Sequence, residues 1–247
     1  VGVPRGIASD ADGRVYVSDT ESNVIRIFEG DGTAVAVWGE ELGLRTPLGL
    51  SVGADGFLYV ADSGNQRVVW LDGSGGLVGE LKLDNTGVLG GVPQDVGISD
   101  DAKLYVAVDR GVLRFNGRSI LAETYPPLLP TVPEPTPLVG NVEGVRRLAF
   151  RDDVGLYFTY APKTRSADGV MAHPARWFPE VFRGSASGGG LFDPFRLDSG
   201  RSNLVHVLDR TNQLGLLTSD GRPYDAFRNW PSPDGAVDVS ALPDASA

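Results

Sequence analysis

Pro4-Arg5-Gly6-Ile7-Ala8 returns 43 residues later as Pro47-Leu48-Gly49-Leu50-Ser51, and the residues after each segment repeat as well. After the first come Asp12-Gly13, then Val15-Tyr16-Val17-Ser18-Asp19-Thr20, then Asn23-Val24-Ile25-Arg26-Ile27-Phe28. After the second come Asp55-Gly56, then Leu58-Tyr59-Val60-Ala61-Asp62-Ser63, then Asn65-Gln66-Arg67-Val68-Val69-Trp70. A third unit opens at Pro93, 46 residues on, and keeps Leu104-Tyr105-Val106-Ala107 and Val112-Leu113-Arg114-Phe115. A fourth is read at Gly144 to Phe150 with Gly155-Leu156-Tyr157-Phe158. A fifth is read at Asp198 to Gly200, Leu204 to Asp209 and Asn212 to Leu217. Pro233 and Ala236-Val237-Asp238-Val239-Ser240 look like the opening of a sixth. A period of roughly 40 to 45 residues restricts the chain to a repeat architecture.

The pieces of the unit say which one. Asp-Gly between short apolar runs supplies the positive φ values of a tight hairpin turn. Val-Tyr-Val or Leu-Tyr-Val makes a strand buried on both faces. Asp-Thr or Asp-Ser with Asn close behind marks the next hairpin, where short polar side chains bond nearby backbone. Val-Ile-Arg-Ile-Phe alternates as a half-exposed strand does. Ala34 to Trp38 and Leu77 to Leu81 supply a fourth segment. One four-stranded antiparallel sheet cannot bury both its faces, but several packed radially can. The fold class expected is all-β, a β-propeller of four-stranded antiparallel blades, with 33 Gly and 17 Pro to make the turns.

The run Pro-x-Gly-Ile-Ala, Asp-Gly-x-Val-Tyr-Val-x-Asp-Thr, Asn-x-Ile-x-x-Phe resembles the NHL-repeat family. Units one and two carry it fully, units three and five in part, and unit four only in its strands. The resemblance implies six blades, of which five and the start of a sixth are visible, within one domain spanning residues 1–247; a five-bladed or open ring is the alternative. It implies little about function, because propellers of this family serve enzymes, RNA binders, receptors and scaffolds.

Two stretches, at about 125–141 and 161–201, read as irregular insertions. Tyr125 to Pro137 holds six prolines in 13 residues, which cannot pair as a central strand. It is either a connection between blades or a segment, including Pro130 and Pro133, that docks on a partner. The second stretch carries Trp177, Phe178, Phe182, Phe192 and Phe195 beside Gly188-Gly189-Gly190. Those aromatics either pack unit four, whose third and fourth strands fall here with Arg176 to Phe182 as the best segment, or form a docking surface.

Little in the chain points to familiar chemistry. The net charge of −10 disfavours nucleic acid, and no basic run offsets it. There is no cysteine, hence no disulfide, thiolate site or cysteine nucleophile. No apolar stretch approaches the roughly 20 residues needed to span a bilayer. Of two histidines, His206 falls inside a strand and His173 in the second insertion, which makes no zinc site. Gly184-Ser185-Ala186-Ser187-Gly188 lacks the strand-to-helix context of a nucleophile elbow. Asp19, Asp62, Asp109 and Asp209 each come after a second strand and read as repeated turn caps. Asp100-Asp101 and Asp152-Asp153 read as solvated turns, and Arg26, Arg67 and Arg114 as recurring third-strand residues facing solvent or the next blade.

With no catalytic, cofactor or metal residues assigned, the expectation is a protein-binding or scaffold propeller, an accessory subunit rather than an enzyme. Its expected partner is a protein, and its partner-binding residues are Trp177, Phe178, Phe182, Phe192, Phe195, Pro130 and Pro133. The alternative is a calcium-dependent, lactonase-like hydrolase with its site in the central channel. Propeller lactonases hold calcium with oxygen ligands, so calcium is the cofactor the resemblance leaves open, and Glu143, Asp95 and Asp238 are the first candidate ligands. A cysteine-free, acidic, Gly-rich chain without an initiator Met is expected outside the cytoplasm, in a periplasmic or secreted setting.

Overall fold

In this computed structural model the chain divides into two compact units, Val1–Asn141 and Val142–Ala247. The structure describes residues 2–83, 91–99, 103–116, 136–140, 144–151, 155–160, 169–173, 194–198, 204–209 and 214–218, with side chains described for 2–83, 91–99, 103–115 and 144–148. Among these residues no helix is long and apolar enough to cross a membrane.

The first unit holds three four-stranded antiparallel blades. Blade one is β1 (Pro4–Ser9), β2 (Val15–Asp19), β3 (Val24–Phe28) and β4 (Ala34–Trp38), in that order. Blade two is β5 (Pro47–Val52), β6 (Leu58–Asp62), β7 (Arg67–Leu71) and β8 (Leu77–Lys82). Blade three is β9 (Pro93–Ile98), β10 (Lys103–Val108), β11 (Gly111–Asn116) and β12 (Thr136–Gly140). The Asp-Gly hairpins are present as expected, with φ of 87° at Gly13 and 79° at Gly56.

The blades are held together by strands that serve two cores at once. Every residue of β6 is buried. Leu58 and Val60 join Ile25, Ile27, Leu44 and Leu50 in a core between blades one and two. Tyr59 and Ala61, on the opposite face, join Val96, Leu104 and Leu113 between blades two and three. β7 divides the same way, Val69 and Leu71 to one core and Val68 and Trp70 to the other. The strand period of two thus places each successive side chain on alternate interfaces, and each fully buried side chain of this size stabilises by about 1.5–3 kcal/mol.

The second unit holds two three-stranded antiparallel sheets among its described residues. One is β13 (Val145–Arg151), β14 (Gly155–Tyr160) and β15 (Gly169–His173); the other is β16 (Pro194–Asp198), β17 (Leu204–Asp209) and β18 (Leu214–Thr218). Their first strands, β13 and β16, are neighbours, as are β1, β5 and β9 in the first unit.

The expected insertions are therefore narrower than the sequence suggested. Residues 136–140 form β12, the outermost strand of blade three, where Pro137 costs no central ladder bond. The stretch 161–201 contains β15 and β16, so His173 ends a strand rather than lying in a loop. The third strand of blade four is Gly169–His173, and Arg176 to Phe182 lies outside the described residues. The opening segment of the sixth unit, from Pro233, also lies outside them.

Candidate functional site

The acidic residue after the second strand is a clamp. The Asp19 carboxylate accepts from the amides of Gly2 at 2.7 Å, Val3 at 3.2 Å and Ser22 at 3.2 Å, and from Arg26 Nε at 2.9 Å. Burial opposes its ionisation, but the Gly2 amide, the Arg26 guanidinium and the Ser22 and Val3 amides outweigh that and hold the carboxyl well below the usual carboxylate range. Asp62 repeats the arrangement, accepting from the Arg45 amide at 2.7 Å, Asn65 Nδ2 at 2.8 Å and Arg67 Nε at 2.7 Å. The expected capping role of Asp19 and Asp62 is thus seen.

Asp109 stands at a different register. Asp19 and Asp62 stand opposite Pro4 and Pro47, whereas Pro93 stands opposite Val108, which is fully buried, and Asp109 is exposed. Asp209, opposite Pro194, keeps the register. The third-strand arginines also differ from expectation. Arg26 pairs with Val17, Arg67 with Asp62 and Arg114 with Tyr105, so they do not share one position. Arg26 and Arg67 turn onto the clamp aspartates instead of out to solvent.

The hydroxyl beside each clamp ties one blade to the next. Thr20 Oγ1 donates to the Pro47 carbonyl at 2.7 Å, and Ser63 Oγ donates to the Pro93 carbonyl. Ser18 Oγ accepts from the Gly6 amide at 2.7 Å and donates to the Leu48 carbonyl at 2.6 Å. Tyr16 and Tyr59 brace the first hairpins, their hydroxyls donating to Asp10 Oδ2 at 2.9 Å and Asp55 Oδ2 at 2.7 Å. Burial, then the bond to Asp10, pushes the Tyr16 phenol up to about 12. All of this is repeat architecture, and none of it is open for chemistry.

Departures from the repeat are more informative. Each first strand shifts register once near its start, and the third residue comes at that shift. In blades one and two it is glycine for want of room. A Cβ on Gly6 would lie 2.3 Å from the Leu48 carbonyl oxygen and 3.2 Å from Gly49 Cα. A Cβ on Gly49 would lie 1.6 Å from Asp95 Oδ1. The third residue of β9 is Asp95 itself, 5% exposed and seated against Gly49. In the second unit the position holds Arg147 in β13 and Arg196 in β16. Arg147 is 6% exposed. The position is therefore glycine in two first strands and charged in three others.

Asp95 stands out on sequence grounds; Arg147 and Arg196 do not. Aligning Val145-Arg146-Arg147 and Pro194-Phe195-Arg196 on Pro4-Arg5-Gly6 is the signal that finds them. Of the residues expected to bind a partner, Phe195 is the second residue of β16. Trp177, Phe178, Phe182, Phe192, Pro130 and Pro133 lie outside the described residues, as do Glu143 and Asp238. His206 lies within β17, opposite Asp198 and Leu216. Among the described residues no three Asp, Glu or His side chains gather to hold a metal ion. On the first strands of the first unit Asp95 is the one carboxylate. These residues alone do not make the calcium site that the resemblance to lactonases implies.

Blades of this topology define an all-β propeller. The NHL repeat model matches residues 2–28 and 44–71, which are blades one and two up to their third strands. Blades one and two thus carry NHL repeats, and the fold is that of a β-propeller. No curated protein sequence matches it. Among solved structures it is similar to a gluconolactonase from Xanthomonas campestris, at 18% identity over 95% of this chain and 78% of that one, TM-score 0.66. It is similar to the PQQ-bound aldose sugar dehydrogenase from Streptomyces coelicolor, at 16% identity over 98% and 86%, TM-score 0.65. It is also similar to virginiamycin B lyase from Staphylococcus aureus, at 15% identity over 93% and 71%, TM-score 0.60. The fold occurs too in a nidogen/laminin complex.

At such identities these likenesses establish the fold alone. They nevertheless correct the expectation of a scaffold or accessory subunit. That expectation took a regular repeat without a familiar catalytic motif as a sign against catalysis, and a lactonase, a dehydrogenase and a lyase share this fold.

Proposed function

We propose that this chain is an enzyme of the lactonase kind, hydrolysing a cyclic ester with Asp95 as its first-strand carboxylate. The observation that carries the reading is the replacement of the repeat's glycine by a buried aspartate on β9, while the other two first strands of the first unit keep glycine there. A buried carboxylate at a position that the other two first strands give to glycine is a departure from the repeat of the kind found at functional sites. Its chemistry suits the reaction. A carboxylate can take a proton from water as the water oxygen attacks the ester carbonyl; the ring C–O bond then breaks, the departing ring oxygen takes that proton back from the carboxyl, and a hydroxy acid leaves.

The test is a pH-stat assay of glucono-δ-lactone and related lactones, with calcium added and with chelator, because the resemblance to lactonases implies that ion. Turnover above the spontaneous rate, reduced about 100-fold or more in Asp95→Asn, is the expected result. Absence of turnover across the lactones in both conditions defeats the reading.

A further inference from the structure

Four Asp-Gly pairs fall in turns whose side chains the structure describes: Asp12-Gly13, Asp31-Gly32, Asp55-Gly56 and Asp72-Gly73. Three of their carboxylates are held by local donors. Asp31 accepts from the Thr33 amide at 2.8 Å. Asp55 accepts from the Phe57 amide at 3.1 Å and the Tyr59 hydroxyl at 2.7 Å. Asp72 accepts from the Ser74 amide at 2.8 Å, the Ser74 hydroxyl at 2.6 Å and the Gly76 amide at 2.9 Å. The Thr33 amide holds the Asp31 carboxyl below the usual carboxylate range, and the Ser74 hydroxyl with the Gly76 amide does the same for Asp72. Asp12 is exposed, and its carboxylate accepts no hydrogen bond among the described residues.

The repeat explains the difference. Asp10 in blade one and Gly53 in blade two open the same hairpin: their amides donate to the Arg14 and Phe57 carbonyls, and their carbonyls accept from Gly13 and Gly56. Asp10 Oδ1 accepts from the Asp12 and Arg14 amides at 3.0 and 2.9 Å, and its Oδ2 takes the Tyr16 hydroxyl at 2.9 Å. With glycine in that place, blade two leaves its tyrosine, Tyr59, to Asp55. Asp12 is thus displaced from the bond that its counterpart makes.

We infer that Asp12 is a modification site, at which the folded chain forms isoaspartate through a cyclic imide with Gly13. Glycine carries no Cβ to hinder attack by its nitrogen. The Gly13 nitrogen adds to Cγ of the protonated Asp12 carboxyl. A C–N bond forms, the Cγ–OH bond breaks, and the hydroxyl leaves with the amide proton as water. A second water then opens the imide at the main-chain carbonyl of Asp12, so that the chain runs on through Cγ and the α-carboxyl is freed. At Asp31, Asp55 and Asp72 the carboxyl must first give up its hydrogen bonds before Cγ can turn onto the next nitrogen. Asp12 has no such bonds to lose.

The experiment is prolonged incubation of the full chain near neutral pH, folded and in concentrated urea, followed by peptide mapping. Electron-transfer fragmentation distinguishes isoaspartate from aspartate at each site. In the folded chain more isoaspartate is expected at Asp12 than at Asp31, Asp55 or Asp72. In urea the turns are lost and each aspartate simply precedes a glycine, so the lead of Asp12 is expected to vanish. No isoaspartate at Asp12 in the folded chain, or as much at any of the other three, overturns the inference. A lead that persists in urea overturns it too, because the local sequence and not the displaced hydrogen bond would then set the rate.

Discussion

The Asp95 carboxylate lies where a Cβ on Gly49 would have to go, with Oδ1 only 1.6 Å from that point and the Asp95 Cα 2.6 Å from it. Neither a side-chain rotation nor a small shift of a flexible tip clears that distance, because backbone is in the way. Gly49→Ala is therefore expected to destabilise the chain by about 1–3 kcal/mol through overpacking, and to depress lactone turnover by displacing Asp95. Gly73→Ala is the control, since a Cβ there meets nothing within 4 Å. Thermal melting of both variants checks the first claim, and the lactone assay the second. Equal melting of the two variants would show that the first strands have slack the packing does not suggest.

Arg67 holds three acceptors at once: Asp62 at 2.7 Å, Glu80 at 2.7 Å and the Leu42 carbonyl at 2.8 Å. Asp62 is fully buried, so removing the guanidinium leaves a buried charge with fewer donors. Arg67→Ala is expected to cost about 3 kcal/mol, the lower end for a broken buried pair because the arginine keeps some exposure. Arg14, whose bridge to Glu29 is 3.7 Å long and open to solvent, is expected to lose less than about 1 kcal/mol on the same change. Urea denaturation of the two variants measures the difference.

Much of the fold was readable because each repeated residue meets a local demand. Gly13 and Gly56 answer a positive φ, Tyr16 and Tyr59 a two-faced core, and Thr20 and Ser63 a carbonyl on the next blade. What was not readable depended on register. Asp109 looks like Asp62 when residues are counted from the Leu-Tyr-Val run, yet β10 pairs so that Val108 stands in the clamp position. Arg26, Arg67 and Arg114 look alike in sequence but occupy three different levels of their blades. The candidate site was half legible for the same reason. Asp95 comes just after a recognisable Pro93, whereas β13 opens with Val145, and the level of Arg147 emerges only once β13 is paired with β14.

Asp19 gives a pH dependence with a definite sign. Its carboxyl is held below the usual range in the folded chain, so ionised Asp19 favours folding at any pH above the unfolded value of about 3.9. That contribution fades as pH falls below about 4 toward the depressed folded value, because the unfolded chain takes up the proton first. The gap in melting temperature between the wild type and Asp19→Asn is therefore expected to be constant from pH 7 to pH 5 and to narrow below pH 4. Scanning calorimetry at pH 7, 5, 4 and 3 reads it. A gap that stays the same down to pH 3 would mean the clamp does not need its charge.

Ser18 bridges two blades with a single oxygen. It accepts from the Gly6 amide at 2.7 Å and donates to the Leu48 carbonyl at 2.6 Å, and the residue is fully buried. Ser18→Ala removes both partners' bonds while leaving the amide and carbonyl where water reaches them poorly, at about 1–3 kcal/mol for each group left unsatisfied. The total loss expected is about 2–6 kcal/mol, far more than one exposed hydroxyl contributes. The loss should also be local. Hydrogen exchange is expected to speed up at the Gly6 amide and along β1 and β5, which the serine joins, while β9 and β10 of blade three keep their protection. Ser18→Thr, which retains the hydroxyl, separates the lost bonds from the lost volume: protection of Gly6 should return in it. If Ser18→Ala and wild type exchange alike at Gly6, the junction between blades one and two is held by its apolar core and the hydroxyl bridge contributes nothing measurable.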